Sequence, residues 1–381
     1  MSYSESDMLS PQEDMPGSGV EREDVGITRP FDPNKIKVET KLMSLDTLVK
    51  RIREGEIDLS PDFQRNEVWK EPAKCRLIES LLIRIPLPAF YMDATNEDHW
   101  LVVDGLQRLS TLRDFIIHEA LILNDLEFLS DCKGKTFGTL SRAYQRRIEE
   151  TQVTVYLIEK GTPPEVKFNI FKRINTGGLP LSSQEIRHAI NQGLSTILIK
   201  RLAESAEFKI ATDNGIQEQR MSDRECVLRF FAFVMTPYQN YPKYPDDDFD
   251  TFLSAAMTSL NQMTPEGIEA LEERFKRAMR LAEDIFEKRA FRKMSRSSSN
   301  RSPINKALFE AWSANLAALD ETAQIRLVKR KESLKEKFLD LMEDEAFSRA
   351  VTQGTGSWFR VQTRFESIEK IIQQTLQEPQ A

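Results

Sequence analysis

Histidine is scarce in this chain of 381 residues, which contains only His99, His118 and His188. A metal-dependent nuclease finger, a zinc hydrolase and a Ser-His-Asp triad all need positioned imidazole groups. Because no histidine follows position 188, the C-terminal half cannot supply a self-contained HNH nuclease. We expect His118 and His188 to have structural roles.

Cysteine is equally rare, and Cys75, Cys132 and Cys226 lack the CxxC spacing of a metal or redox site. No apolar run is long enough to span a membrane, and the N-terminus does not resemble a signal peptide. These absences predict a reduced, cytoplasmic protein with no membrane partner. The sequence leaves the oligomeric state open.

The formal net charge of −7 argues against a protein that coats nucleic acid non-specifically. One local exception is the basic segment, residues 288–306, which has seven lysines and arginines and no acidic residue. A solvated loop is the commoner explanation of such a segment, yet it would also attract DNA phosphates. The candidate DNA contacts in it are Arg289, Arg292, Lys293 and Arg296.

The pattern of hydrophobic residues divides the chain into three parts. Residues 1–35 are acidic and rich in Ser, Pro and Gly, which predicts a disordered tail. Strand and helix signals mix throughout residues 36–190, whereas residues 191–381 carry the periodicity of amphipathic helices. We therefore predict an α+β protein, with a mixed α/β N-terminal domain followed by an all-α domain that contains the basic segment.

The stretch VVDGLQRLSTLRDF, residues 102–115, has the pattern of a strand, a tight turn and a helix. Asp104 is a favoured helix N-cap and Gln107 follows three residues later, so the pair predicts a capping box. Arg108 is predicted on the flank of the helix, outside the core. Capping accounts for the aspartate and the glutamine but not for the arginine.

A cation in the first turn of a helix is disfavoured by about 0.3–1 kcal/mol, and an anion bound there removes the penalty. Gly105 lets a ligand approach the backbone, and Arg108 can add charge-assisted hydrogen bonds to a phosphate. The residues thus predict a phosphate site at Gly105 and Arg108. Asp104 would hold Mg²⁺, hold a ribose hydroxyl, or pair with Arg108.

Two further segments carry related residues. PDFQRNEVW repeats the adjacent glutamine and arginine as Gln64 and Arg65, and two arginines suit a polyphosphate better than one. In FKRINTGG, Asn175 beside two glycines can present an amide and backbone N–H groups to a phosphate or base. An ordinary loop and an ordinary helix C-cap also explain these segments, and Ser182 with Glu185 predicts a capping box after the second.

Together, PDFQRNEVW, VVDGLQRLSTL and FKRINTGGLPLSSQEIRHAI resemble, in order and spacing, the N-terminal domain family of GmrSD-type modification-dependent restriction enzymes. The resemblance covers about residues 36–235. It implies a fold related to the ParB and sulfiredoxin-like domains. It also implies nucleoside triphosphate (NTP) binding and hydrolysis in bacterial defence against phage, with an HNH nuclease domain often fused behind.

Carried over to this chain, the D-G-x-Q-R motif of the family falls on Asp104, Gly105, Gln107 and Arg108. Leu106 stands where the commonest family form has glutamine, which predicts an altered affinity rather than a dead site. The absence of histidine after position 188 implies that DNA cutting needs either a nuclease subunit in trans or the ParB-like site itself. The resemblance also brings in the nucleotide-binding candidates of the other two segments, which are Gln64, Arg65 and Asn175.

The resulting hypothesis is an NTP-binding and NTP-hydrolysing module that uses Mg²⁺. In it, Arg108 and Arg65 neutralise phosphates, Gln107 or Gln64 orients the attacking water, and Asp104 holds the metal ion. One alternative is a Mg²⁺-dependent ParB-like DNase, which needs Asp62 or Glu67 beside Asp104. Another is a non-catalytic module that binds DNA or a partner protein.

Overall fold

The computed structural model describes residues 37–59, 69–174, 181–216, 219–242, 249–297 and 300–379, so the predicted acidic tail lies outside the described residues. The chain divides into two compact units, one running from Phe31 to Ile190 and the other containing Asn191–Ala381. The described part of the first unit mixes strands and helices, and that of the second is largely helical. The predicted α+β fold class is confirmed.

Five strands form one mixed sheet in the described part of the N-terminal unit: β1 (Val38–Ser44), β2 (Ile57–Asp58), β3 (Phe90–Asp93), β4 (Trp100–Asp104) and β5 (Gln152–Ile158). The strand order across the sheet is β1-β5-β3-β4-β2. β1 with β5 and β3 with β4 are antiparallel, whereas β3 with β5 and β2 with β4 are parallel. The strand that carries the D-G-x-Q-R motif is therefore the second from one edge.

One face of this sheet is covered by helices and forms the hydrophobic core of the unit. Phe90, Met92 and Val102 contribute from the strands, because alternate residues of a strand point to the same face. The apolar sides of four helices complete this core. These helices are α1 (Leu45–Arg53), α2 (Glu71–Leu82), α3 (Leu106–Leu112), which continues into a π-helical turn at Arg113–Ile117, and α4 (Arg142–Glu149).

A buried ion pair fixes a helix on the opposite face. The described helices after β5 are α5 (Pro164–Ile174) and α6 (Ser183–Ile190). The Lys167 ammonium on α5 lies 2.9 Å from Asp93 Oδ2 and also donates to Thr95, and both charged side chains are buried. Because Asp93 directly follows Met92, which faces the core, strand alternation places Asp93 on the opposite face.

Within the described residues, the C-terminal unit contains ten α-helices. Their inward-facing apolar side chains form a single hydrophobic core. None of the described helices of the protein is long and apolar enough to cross a membrane. The ten helices are α7 (Leu194–Ala203), α8 (Ala206–Ala211), α9 (Ser222–Met235), α10 (Phe249–Asn261), α11 (Pro265–Phe286), α12 (Lys306–Ala317), α13 (Glu321–Lys329), α14 (Lys331–Glu343), α15 (Glu345–Ala350) and α16 (Trp358–Gln377).

A chain of buried charges crosses the middle of the helical unit. Glu310 of α12 accepts hydrogen bonds from Arg229 of α9, at 3.1 Å, and from Arg364 of α16. Arg229 also donates to Glu225 at 2.7 Å, and Glu225 pairs with Lys306 at 2.8 Å. Because Glu310 is 0% exposed, its charge is compensated by these partners rather than by water.

We expect Glu310→Gln to lower the free energy of unfolding by about 3–5 kcal/mol, because it leaves two buried arginines without the charge between them. Glu336→Gln is the matched control, since Glu336 pairs with Arg296 on the surface and is worth about 0–1 kcal/mol. Urea unfolding followed by circular dichroism measures both. If both variants lose an equally small free energy of unfolding, Glu310 does not hold the two arginines as described.

Candidate functional site

The turn between β4 and α3 is built around a glycine that no other residue can replace without strain. Gly105 has a φ of +103°, and a Cβ there would lie 2.4 Å from Cδ1 of Phe90. Gly105 is itself the N-cap of α3, and no side chain caps the helix. The predicted capping box of Asp104 and Gln107 is therefore wrong, because both side chains are used elsewhere.

Arg108 is the residue that fixes this turn. Its guanidinium donates to the carbonyl oxygens of Pro88 and Ala89, the latter at 3.1 Å, and to Asp104 Oδ2 at 2.8 Å. The Arg108 Cζ atom also lies 4.5 Å from the centroid of the Phe90 ring. Arg108 thus connects the start of β3 to the end of β4.

The side chain of Arg108 is only 11% exposed, so its predicted place outside the core is wrong. Burial lowers the pKa of the guanidinium, and the neighbouring carboxylate of Asp104 opposes that shift. The helix flank is covered here because β3 enters beside it and presents two carbonyl oxygens that need donors. In this arrangement most of the guanidinium is engaged by the protein itself.

Asp104 reaches solvent, with 39% of its side chain exposed, and Gln107 of the motif is also partly exposed. A register shift explains its direction: Tyr91 pairs with Asp104, but Met92 pairs with Val102, so Val103 is an extra residue in β4. Regular alternation from Trp100 and Val102 would turn Asp104 into the core. The bulge turns it to the opposite face.

On that opposite face, Asp104 lies directly beside the first of two stacked tyrosines, neither of which was predicted as a site residue. Tyr91 of β3 is in register with Asp104 and also with Tyr156 of β5, and the two rings stack with centroids 4.7 Å apart. Burial raises the pKa of Tyr91, and Tyr156 and the nearby charge of Asp104 raise it further. The signal was present in the sequence, because each tyrosine lies between two apolar residues that face the core.

Gln107 ties the turn to the upstream segment. Its Oε1 atom accepts a hydrogen bond from the backbone N–H of Trp69 at 3.2 Å, and Trp69 ends the PDFQRNEVW stretch. The nucleotide-binding candidates Gln64 and Arg65 lie outside the described residues, so their predicted convergence with Arg108 stays a prediction. The contact at Trp69 brings one end of their segment to the motif.

Asn175 also lies outside the described residues, between α5 and α6. The capping box predicted just after it is confirmed. Ser182 N donates to Glu185 Oε2 at 2.6 Å, and Glu185 N donates back to Ser182 Oγ at 3.1 Å. The residues that follow Asn175 in this segment therefore begin helix α6, as the sequence pattern indicates.

Metal-ligating groups are sparse in the described ranges, where no three His, Cys, Asp or Glu side chains cluster. Asp104 alone does not form a metal cage. However, Mg²⁺ is commonly held by one or two carboxylates together with the phosphates of its substrate, and a half-exposed carboxylate fits that requirement. Asp62 and Glu67, which the DNase alternative requires, lie outside the described residues.

Thiol and imidazole chemistry find no support in the described part of the chain. Cys75, Cys132 and Cys226 are free and buried, and burial raises the pKa of each thiol. His188 is buried on α6, as expected for a structural residue. The candidate site is therefore one of carboxylate, amide and hydroxyl groups.

The basic segment of the helical unit is far less available to DNA than its sequence indicates. Arg292 is 1% exposed and donates to the carbonyl oxygens of Ser302, at 2.6 Å, and Thr212, at 3.1 Å, so its prediction as a DNA contact is wrong. Arg296 binds three carboxylates of α14 and Arg301 pairs with Asp213. Although the segment has no acidic residues of its own, carboxylates of α14 and of the turn after α8 pair with two of its arginines.

Arg289 and Lys293 are partly exposed, and their DNA contacts remain predictions. Arg296 is exposed, but a phosphate would have to displace the carboxylates that now surround it. Lys306, at the end of the segment, belongs to the buried network through Glu225. A continuous free basic surface is therefore not a property of the described part of this segment.

The described part of the N-terminal unit is a mixed α/β domain with one five-stranded sheet. Its D-G-x-Q-R turn presents one carboxylate next to a stacked pair of tyrosines. Residues 45–191 match the family model described as the GmrSD restriction endonuclease, N-terminal domain. The predicted resemblance is thereby confirmed for residues 45–191. No curated protein matches the chain.

We expect Gly105→Ala to destabilise the protein by about 2–5 kcal/mol, the sum of an unfavourable φ and a clash with Phe90. Gly55→Ala is the matched control, because Gly55 has a φ of +76° but no atom within 4 Å of the added Cβ. Urea unfolding of both variants separates the clash from the backbone strain. Equal losses would show that the Phe90 contact does not constrain this turn.

Arg292→Ala and Arg296→Ala remove the same charge from the basic segment but are expected to differ in stability. Arg292→Ala loses two buried charge-assisted hydrogen bonds of about 1.5–3 kcal/mol each, whereas Arg296→Ala costs about 0–1 kcal/mol. Thermal unfolding gives the comparison. An Arg292→Ala protein as stable as the wild type, with weakened DNA binding, would restore Arg292 as a DNA contact.

Proposed function

We propose that the N-terminal unit binds a nucleoside triphosphate with Mg²⁺ and hydrolyses it. It would act as the nucleotide-driven module of a restriction system that defends against phage, with a nuclease subunit in trans cutting DNA. The observation that supports this most directly is the Asp104 carboxylate. It is half-exposed, held at 2.8 Å by a buried arginine, and part of the D-G-x-Q-R turn of the matched domain.

The roles of the motif residues follow from their contacts. Both terminal nitrogens of Arg108 already donate, to the carbonyl oxygens of Pro88 and Ala89 and to the carboxylate of Asp104. We therefore assign Arg108 to positioning the carboxylate rather than to binding phosphate directly. Gln107, which accepts from Trp69 N, positions the upstream segment in the same way. Both assignments revise the roles expected from the sequence.

The phosphate-binding roles then pass to residues outside the described ranges. We propose that Arg65 neutralises the phosphates, that Gln64 orients the attacking water, and that Asn175 contributes an amide. Asp104 would hold Mg²⁺ directly or through water. When bound, that ion neutralises charge that develops on the phosphoryl oxygens.

The proposal is tested by calorimetric titration of ATP, GTP, CTP and UTP, each with Mg²⁺, into the full chain, followed by measurement of phosphate release. Binding and release of phosphate support a nucleoside triphosphatase. Binding without release would reduce the function to a nucleotide-controlled switch. If no nucleotide binds, the proposed function is wrong.

We expect Asp104→Asn to lower phosphate release by about 10- to 100-fold, because the exposed carboxylate that would orient Mg²⁺ becomes neutral. Glu39→Gln is the matched control: Glu39 also lies on a strand of the sheet, with 43% of its side chain exposed, but on the other face. That variant should keep wild-type activity. An active Asp104→Asn protein, or normal hydrolysis by Arg108→Ala, would exclude the motif from the reaction.

A further inference from the structure

A row of four side chains crosses the sheet on the face to which Asp104 points. The register pairs Asp104 with Tyr91, Tyr91 with Tyr156, and Tyr156 with Thr40 of the edge strand β1. Residues directly opposite each other on paired strands lie on the same face. The row therefore runs, in order, from a carboxylate through two aromatic rings to a small hydroxyl residue.

The two rings lie in the middle of this row and are stacked on each other. Their centroids are 4.7 Å apart with an angle of 22° between the planes, and both side chains are partly exposed. Beyond Tyr156, the next position is Thr40, which is exposed, and Leu42 on the same strand is 73% exposed. A small neighbour thus leaves room for a further planar group beside the ring of Tyr156.

The spacing of the row suits an extended nucleotide. Neighbouring strands lie about 4.8 Å apart, so the position above Thr40 is about 14 Å from the strand of Asp104. An extended nucleoside triphosphate with its metal ion separates the base from the terminal phosphate by a comparable length. A base on the Tyr156 side would therefore place its phosphates toward the carboxylate.

We propose that Tyr91 and Tyr156 form the platform on which the nucleobase stacks, with the base beside Tyr156 and above Thr40. This inference rests on the proposed function and assigns a subsite to it. Aromatic rings stack on every base, so the platform gives affinity with little base selectivity. The hydroxyl of Tyr91, between the base and Asp104, is in position to donate to the ribose.

The test compares Mg²⁺–ATP with Mg²⁺–tripolyphosphate, which has no base, in titrations of the full chain. Tyr156→Leu removes the ring that contacts the base and should weaken ATP binding by about 5- to 150-fold, the range of one lost base stack. Tyr91→Leu removes the ring that supports Tyr156 from the other side and should weaken ATP binding by a smaller factor. Tyr156→Phe, which keeps the ring, should bind ATP nearly as the wild type does. Tripolyphosphate affinity should stay unchanged in all these variants.

Two controls exclude a general loss of structure. Tyr144→Leu removes a partly exposed tyrosine from α4, outside the row, and should leave ATP affinity unchanged. Thr40→Tyr keeps both rings but fills the position beside Tyr156, and should weaken ATP binding without altering tripolyphosphate binding. Circular dichroism confirms folding, and Thr40→Tyr provides the test if a leucine variant does not fold.

The outcomes separate the two proposals. If the wild type binds ATP and the leucine and Thr40→Tyr variants bind it equally well, the platform is wrong and the proposed function stands. If these variants lose ATP and tripolyphosphate affinity together, the row binds phosphate rather than the base, and the platform is again wrong. If the wild type binds neither ligand, both proposals are overturned.

Discussion

The guanidinium of Arg108 is the constraint on which the candidate site depends. It satisfies two carbonyl oxygens just before β3 and one carboxylate oxygen at the end of β4, so it connects these two chain segments beyond the end of the sheet ladder. The guanidinium packs over Phe90, and both groups occupy space that a Cβ on Gly105 would need. Glycine, arginine and aspartate of the motif are thus parts of one packing arrangement.

This arrangement changes what the motif means chemically. An arginine beside a helix end looks, in the sequence, like an anion ligand, because charge and spacing are all that the sequence displays. In the folded unit the guanidinium is buried and donates hydrogen bonds to the protein itself, whereas the aspartate is partly exposed to solvent. The charge of a motif residue can therefore be engaged by the protein's own backbone and side chains.

The sequence predicted the elements well and their tertiary surroundings poorly. Trp100–Asp104 was predicted as a strand with a helix after it, and the structure has both elements. The mixed strands and helices of the first part and the helical second half are also confirmed, because such elements depend on local periodicity. The burial of Arg108 was missed because it depends on β3, nearly twenty residues away. The bulge was missed because a register shift has no local signature, and the tyrosine pair because its partners lie on different strands.

The basic segment illustrates the same limit in the helical unit. Counting charges along residues 288–306 predicts a free cationic surface, because every neighbour in sequence is neutral or basic. The compensating carboxylates come from α14 and from Asp213, which are distant in sequence. Burial of Arg292 then makes one of the cations a structural anchor of the segment.

The extra residue in β4 also limits how this domain can diverge. A strand presents its side chains with a period of two, so gaining or losing one residue between Trp100 and Asp104 would exchange the two faces for everything that follows. Asp104 would then enter the core and the tyrosines would lose their polar neighbour. The number of residues in β4, and not only their chemical type, therefore decides whether the carboxylate and the tyrosines share a face.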